Sequence, residues 1–309
     1  MTECERIIQS GIISEDFFKE ETKCDFHITT ERKKIWAISL DLLLQFQKIC
    51  TKYNIKFFIF YGTLLGAVRH KGFVPWDDDI DVGMLRDDYE ELLKHNEDFK
   101  KPYFLQTPYT DKGMYYSQAK IRNINTSFIS KMFAYENFNQ GIALDIFPFD
   151  NYEASDGIER FNEIMKLNRE NSLFMRLHNP KLDDDSIDRI SKLSGESPIS
   201  NIQKIEKIAQ KYNKHETKFV SCAVNTRYDL EHSVFHKEDF NELIQIDFEN
   251  FKFPAPKGYE RILKINYGDY NQFPPEEKRG TWHDNMIIDP DVSCYEKRKQ
   301  LILLENNQK

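Results

Sequence analysis

The sequence predicts an α+β fold, a mixed sheet core carrying a helical insertion, and three observations lead there. Short apolar runs of strand length recur between positions 56 and 147, separated by segments with helical spacing. A charged stretch from about 154 to 214 keeps a helical pattern and offers no strand-like run. No internal repeat or long low-complexity linker divides the 309 residues, a length that holds one large domain or two small ones. The expected organisation is a core unit at 29–153, the helical insertion at 154–214, and the remainder of the core with a lid-like loop at 215–290.

Each element follows from local pattern. A strand signal falls at 24–28. Thr30 reads as the N-cap of a helix reaching about position 53, with Ile35, Ile38, Leu42, Phe46 and Ile49 on one face. The run KFFIFY at 56–61 suits a buried strand, and Gly62 opens a turn into the short helix GTLLGAVRH. A strand is expected over 79–84, followed by a helix in RDDYEELLKH. Further strands are expected at 103–106, 115–121, 127–132 and 142–147. Within the helical stretch, Pro180 and Pro198 mark breaks. Beyond it come a strand over 248–253, a helix over 259–267, and a loop in YGDYNQFPPEEKRGTWHD.

Composition narrows the function classes. A net charge of -8 argues against a general nucleic-acid binder. Five scattered cysteines, odd in number and without a close pair, read as reduced thiols rather than a disulfide framework or zinc site. The opening MTECERIIQS lacks the basic and apolar parts of a signal peptide. No apolar run approaches the roughly 20 residues that span a bilayer. The expectation is a cytoplasmic protein without a transmembrane segment, free to make peripheral contact with the inner face of the membrane.

The chemistry concentrates in YGTLLGAVRHKGFVPWDDDIDVG at 61–83. Asp77, Asp78, Asp79 and Asp81 are crowded into five positions, and like charges about 7 Å apart repel by about 2 kcal/mol per pair at an effective dielectric near 20. In an extended run Asp79 and Asp81 share one face, and Asp78 points the other way, where it braces the loop. A hard divalent cation, Mg²⁺ or Mn²⁺, removes the conflict. Asp145 in GIALDIFPFD is the natural third carboxylate, and Gly62 and Thr63 stand where a helix N-terminus can meet phosphate oxygens. Such a set holds metal against a pyrophosphate for in-line displacement. An EF-hand reading fails, because Val82 occupies the position that needs glycine. His232 and His236 have helical ligand spacing, but Val234 and Phe235 suggest a strand there and no third ligand accompanies them.

The stretch YGTLLGAVRHKGFVPWDDDIDVGMLRDDYEELL resembles the signature of the LicD family, which includes bacterial phosphocholine transferases and fukutin-type enzymes. AKIRNINTSFI, GIALDIFPFD and YGDYNQFPPEEKR also match. The resemblance covers roughly 31–150 and 247–283. It implies a nucleotidyltransferase-like fold for the core, a CDP-linked donor such as CDP-choline, Mg²⁺, and transfer of a phospho-alcohol to a glycan or lipid-linked glycan hydroxyl. It further implies Asp79, Asp81 and Asp145 as metal ligands, with Asp77 as a further ligand or the base. Lys120 and Arg122, alternating on one strand face, and Arg69 beside the turn would meet diphosphate charge. His70 is open to two readings, proton shuttle or structural helix end. Arg279 and His283 would close over the donor. Tyr61, Trp76, Tyr115, Tyr116 and Trp282 are aromatic faces available to a quaternary ammonium. Two alternatives use the same parts: a nucleotidyltransferase acting on an NTP, and a non-catalytic subunit that binds Mg-nucleotide.

Overall fold

The sheet is built around one long strand that gathers the expected segments. The computed structural model describes residues 1–180, 182–193, 197–224, 229–280 and 286–306. The chain opens with α1 (Glu3–Gln9), the short hairpin of β1 (Glu21–Lys23) and β2 (Phe26–Ile28), and α2 (Thr30–Tyr53). Next come β3 (Phe58–Ile59), α3 (Tyr61–His70), β4 (Ile80–Leu85), α4 (Arg86–Leu93), β5 (Tyr103–Gln106), β6 (Ala119–Asn123), β7 (Ser127–Ser130) and β8 (Ala143–Tyr152). The helices α5 (Gly157–Phe174), α6 (Asp184–Lys192) and α7 (Pro198–Ala209) fill the charged stretch. The last elements are β9 (Phe219–Ser221), β10 (Val234–His236), β11 (Leu243–Phe248), β12 (Phe251–Pro256), α8 (Tyr259–Tyr267), β13 (Met286–Asp289) and α9 (Cys294–Asn306).

The main sheet runs β10-β9-β8-β4-β3, with β6 on the free side of the first half of β8 and β5 beyond it. β4 and β8 run parallel, and the other pairings of this sheet are antiparallel. The mixed pairing and segregated helices make this an α+β architecture. Three smaller pairs, β1–β2, β11–β12 and β7–β13, lie outside it.

α2 lies against β4, β6 and β8. Its apolar face, Ile35, Ile38, Leu42, Phe46 and Ile49, is buried as the spacing requires. The N-cap is Thr29, one residue earlier than expected, and its hydroxyl accepts from the Arg32 N–H. Asn54 ends the helix in the left-handed conformation, φ 53°. Behind the sheet, Phe58, Phe60, Phe149, Phe235 and Phe240 form one aromatic cluster, with the rings of Phe60 and Phe149 4.8 Å apart and edge to face. Ile164 and Leu167 of α5 and Ile205 and Ala209 of α7 join the same hydrophobic core as the sheet.

Several boundaries differ from the sequence reading. β6 starts at Ala119, because residues 115–118 form a loop with no strand pairing. β7 stops at Ser130, where the Lys131–Phe133 turn begins, and β8 continues to Tyr152 to pair with β9. The expected break near Pro198 is present, since α6 ends at Lys192 and Pro198 occupies the first turn of α7, where its missing N–H is not needed. The strand expected over 248–253 is split by a hairpin turn at Glu249, φ 51°, and Asn250, with Phe248 ending β11 and Phe251 opening β12. No helix among the described residues is long and apolar enough to cross a membrane.

Candidate active site

Residues that alternate along a strand share a face, and register decides which residues of neighbouring strands meet. Asp81 of β4 stands directly opposite Asp145 of β8, and Asp145 stands opposite Lys120 of β6. Three charged side chains therefore form one row across three strands. Two carboxylates facing each other across a ladder are destabilising, and the Lys120 ammonium, ion-paired with Asp145 Oδ1, offsets part of that. Ile80 and Val82, on the opposite face of β4, are fully buried.

The backbone of Asp81 is clamped from both sides. Its N–H donates to Thr63 Oγ1 at 2.9 Å, and its carbonyl accepts from the Phe60 N–H at 3.0 Å. Thr63, buried and absent from the cavity lining, thus ties the first turn of α3 to β4 rather than presenting its hydroxyl to the cavity.

Residues 77–79 precede the strand and have no regular structure. The turn Val74-Pro75-Trp76-Asp77 closes with Asp77 N–H donating to the Val74 carbonyl at 2.9 Å, and proline at its second position presets the bend. The Asp77 carbonyl accepts from Trp36 Nε1 at 2.7 Å and from Arg32 at 3.0 Å, both on α2. So held, Asp77, Asp78 and Asp79 each bring a carboxylate oxygen within 4.8 Å of the other two. Strand alternation does not apply before Ile80, which is why Asp78 joins the cluster and lines the cavity instead of pointing away. Each pair at that distance repels by about 3 kcal/mol at an effective dielectric near 20. Asp77 keeps some solvent exposure but is densely surrounded. Burial pushes its carboxyl well above the usual range, and the charges of Asp79, Asp78 and Asp81 push it further.

Gly62 has a specific reason to be glycine. A Cβ there would lie 2.4 Å from Asp77 Oδ2, so the Asp77 carboxylate rests against the first turn of α3 only because no side chain intervenes. Tyr61 beside it takes φ 41°, a left-handed conformation that costs a non-glycine residue about 1–2 kcal/mol.

These groups open onto one cavity of about 500 Å³. Its acidic wall holds Asp77, Asp78, Asp79, Asp81 and Asp145, and Lys120 and Arg122 stand beside it. Arg122 is buried, with Nε donating to Gln106 Oε1 and a second donor on the Gly141 carbonyl, so its guanidinium is held within the sheet. The rings of Tyr61, Trp76, Tyr115 and Tyr116 reach the same cavity. Asn168 and Ser172 of α5, Tyr267 at the end of α8 and Lys278 in the tail also line it; none was singled out from the sequence. The sequence showed a helical pattern there but could not say that polar residues of α5 border a cavity.

Arg69, Arg279 and His70 sit elsewhere. Arg69 donates to His70 Nε2 and to the carbonyls of Tyr270 and Gln272. Arg279 donates to the carbonyls of Pro274 and Cys24. Neither lines the cavity, and these bonds fasten the tail. Burial, then the Arg69 charge, pushes His70 down to about 4, which keeps it neutral and structural rather than a proton shuttle. His283 and Trp282 lie outside the described residues.

Three convergent carboxylates, acceptor-only when ionised, with two more on the adjoining strands, are a donor set suited to a hard divalent cation such as Mg²⁺ or Mn²⁺. The sheet is mixed, and a short helix is braced against its acidic strand. Residues 54–180 match the family model described as LicD/FKTN/FKRP, nucleotidyltransferase domain. The lipopolysaccharide cholinephosphotransferase LicD of Haemophilus influenzae is 28% identical over 257 residues, spanning 80% of this chain and 93% of that protein. Uncharacterized proteins of Rickettsia prowazekii and Rickettsia typhi are 51% identical over 75 and 61 residues, 24% and 18% of this chain and 26% and 20% of theirs.

Proposed function

We propose that this protein is a Mg²⁺-dependent transferase that moves phosphocholine, or a related phospho-alcohol, from a CDP-linked donor to a glycan hydroxyl with release of CMP. The observation that supports it best is the meeting of five carboxylates, Lys120 and several aromatic rings in one cavity. The Haemophilus relative, named for choline phosphate and lipopolysaccharide, favours that donor group and a lipid-linked glycan acceptor, reached from the cytoplasmic side of a membrane.

In this reading Asp79, Asp81 and Asp145 hold the metal, and Asp78 extends the set. Bound Mg²⁺ supplies positive charge against the diphosphate and so assists departure of CMP. Lys120 orients a phosphate oxygen. Tyr115, Tyr116 and Trp76 offer ring faces to the quaternary ammonium. The acceptor oxygen forms its bond to the phosphorus that carries choline, the bridging bond to CMP breaks, and the hydroxyl proton passes to Asp77. Asp77 is assigned that role because its carboxylate lines the cavity next to the proposed metal ligands.

The test is thermal stabilisation of the purified protein by CDP-choline, CDP-ribitol, CTP and a UDP-sugar, each with and without Mg²⁺. A ligand at 100 times its dissociation constant stabilises by about 2.7 kcal/mol. Mg²⁺-dependent stabilisation greatest with CDP-choline, lost in Asp81→Asn, is the expected result. Preference for CTP would move the assignment to nucleotidyl transfer, and no response to any cytidine diphosphate would overturn it.

A further inference from the structure

The tail from 267 to 280 is fastened over the cavity by an aromatic–guanidinium stack. Phe273 is 43% exposed, yet its ring meets four side chains. His70 stacks on its ring at 5.7 Å, Trp76 meets it edge to face at 5.9 Å, and the guanidinium carbons of Arg69 and Arg279 lie 5.0 and 5.7 Å from its centre. The same two guanidiniums lie 5.8 and 5.2 Å from the Trp76 ring. Arg69 grips the tail through the carbonyls of Tyr270 and Gln272, and Arg279 pins it to the Cys24 carbonyl in the β1–β2 turn. Trp76 immediately precedes Asp77, so the fastening and the carboxylate loop share a residue.

Arg279 and Lys278 are adjacent but serve opposite sides. Arg279 turns into the stack, whereas Lys278, at the end of the Glu276–Lys278 turn, lines the cavity together with Gly280. Three cations line that cavity among the described residues. Lys120 is ion-paired with Asp145, and Arg122 is bonded to Gln106 and Gly141. Lys278 makes no hydrogen bond or ion pair with a described side chain, and it is exposed. An ammonium brought to an acid-lined cavity, with no carboxylate partner among the described residues, is available to an anionic ligand that the acids alone would repel.

Resting on the phosphate-transfer reading above, we propose that Lys278 binds the diphosphate of the donor and that Arg69 and Arg279 are positioning residues, which deliver it by fastening the tail. A diphosphate held at the acidic wall through a divalent cation would still carry negative charge, and the Lys278 ammonium would meet it without competing for the metal ligands.

The experiment measures binding of magnesium pyrophosphate by calorimetry, a probe that needs neither choline nor acceptor. Lys278→Ala should weaken it about tenfold, the loss expected for one hydrogen bond to a charged group. Lys278→Arg should recover most of that, and binding of Mg²⁺ alone should match wild type in both variants. Arg279→Ala should weaken pyrophosphate binding similarly while raising proteolytic cleavage within 267–280, a change Lys278→Ala should not cause. Wild-type affinity for magnesium pyrophosphate in Lys278→Ala, or an equal loss of Mg²⁺ binding, overturns the proposal. A wild-type protein that binds magnesium pyrophosphate but not CDP-choline would overturn the donor assignment and leave Lys278 in its role. Failure of the wild type to bind magnesium pyrophosphate overturns both.

Discussion

Replacing Gly62 by alanine separates stability from function at this site. The added Cβ would lie 2.4 Å from Asp77 Oδ2, whereas ordinary contact begins near 3.4 Å, so the carboxylate must withdraw by about 1 Å. The backbone does not object: Gly62 is not in the left-handed region, and alanine favours a helix over glycine by up to about 1 kcal/mol. Rotation of one short side chain relieves the clash, so the fold survives while the carboxylate geometry does not. A misplacement of about 1 Å in a catalytic group costs about 100-fold in rate, close to 2.7 kcal/mol of barrier. The expected outcome is a melting temperature in EDTA equal to or above wild type, together with transfer activity about 100-fold lower. Coupling identifies the cause. If the defect acts through Asp77, Gly62→Ala added to Asp77→Asn should change activity little beyond Asp77→Asn alone. Wild-type activity in Gly62→Ala, or full additivity with Asp77→Asn, would refute the reasoning that this glycine exists to seat Asp77.

Three further outcomes follow from the same geometry. Asp78→Asn removes one member of a cluster whose pairs repel by about 3 kcal/mol each, so the metal-free protein should melt higher and gain less from added Mg²⁺; a lower melting temperature in EDTA would show that Asp78 braces the loop. Arg86 makes a buried two-pronged pair with Asp150, at 2.8 and 2.6 Å, so Arg86→Met should cost about 3–5 kcal/mol in urea unfolding, and adding Asp150→Leu should recover part of it. His70 has its folded value lowered to about 4 from an ordinary 6.5, so the stability it contributes is complete above pH 6.5 and fades as pH falls through 6.5 toward 4. The stability-versus-pH curve of His70→Gln should therefore be flatter than wild type across that window, and an identical slope would refute it.

How far the sequence could be read depended on whether neighbours along the chain or neighbours across the fold set the outcome. α8 was legible to the residue, because Ile262, Leu263 and Ile265 give a helical pattern that Gly268, at φ 64°, terminates. The turn between β11 and β12 was not, because Glu249 and Asn250 interrupt an apolar run without glycine or proline, and the left-handed Glu249 is stabilised from outside. Its N–H donates to the Lys71 carbonyl, and its carboxylate accepts from the Phe73 N–H, 176 positions away. The acid cluster announced itself through charge density alone, but strand alternation was carried two residues too far, and Asp78 was assigned the wrong side for that reason. Charge was least informative for the arginines. Arg69 and Arg279 stand beside motifs that suggest phosphate, yet neither lines the cavity, and the bonds they make run to His70 and to the carbonyls of Tyr270, Gln272, Pro274 and Cys24. Those partners lie up to 255 positions away, beyond any local pattern. Among the described residues, the Lys278 side chain joins no aromatic stack and no carbonyl, and it lines the cavity. Its role is therefore set by how its neighbour Arg279 is bound, more than by any property of Lys278 itself.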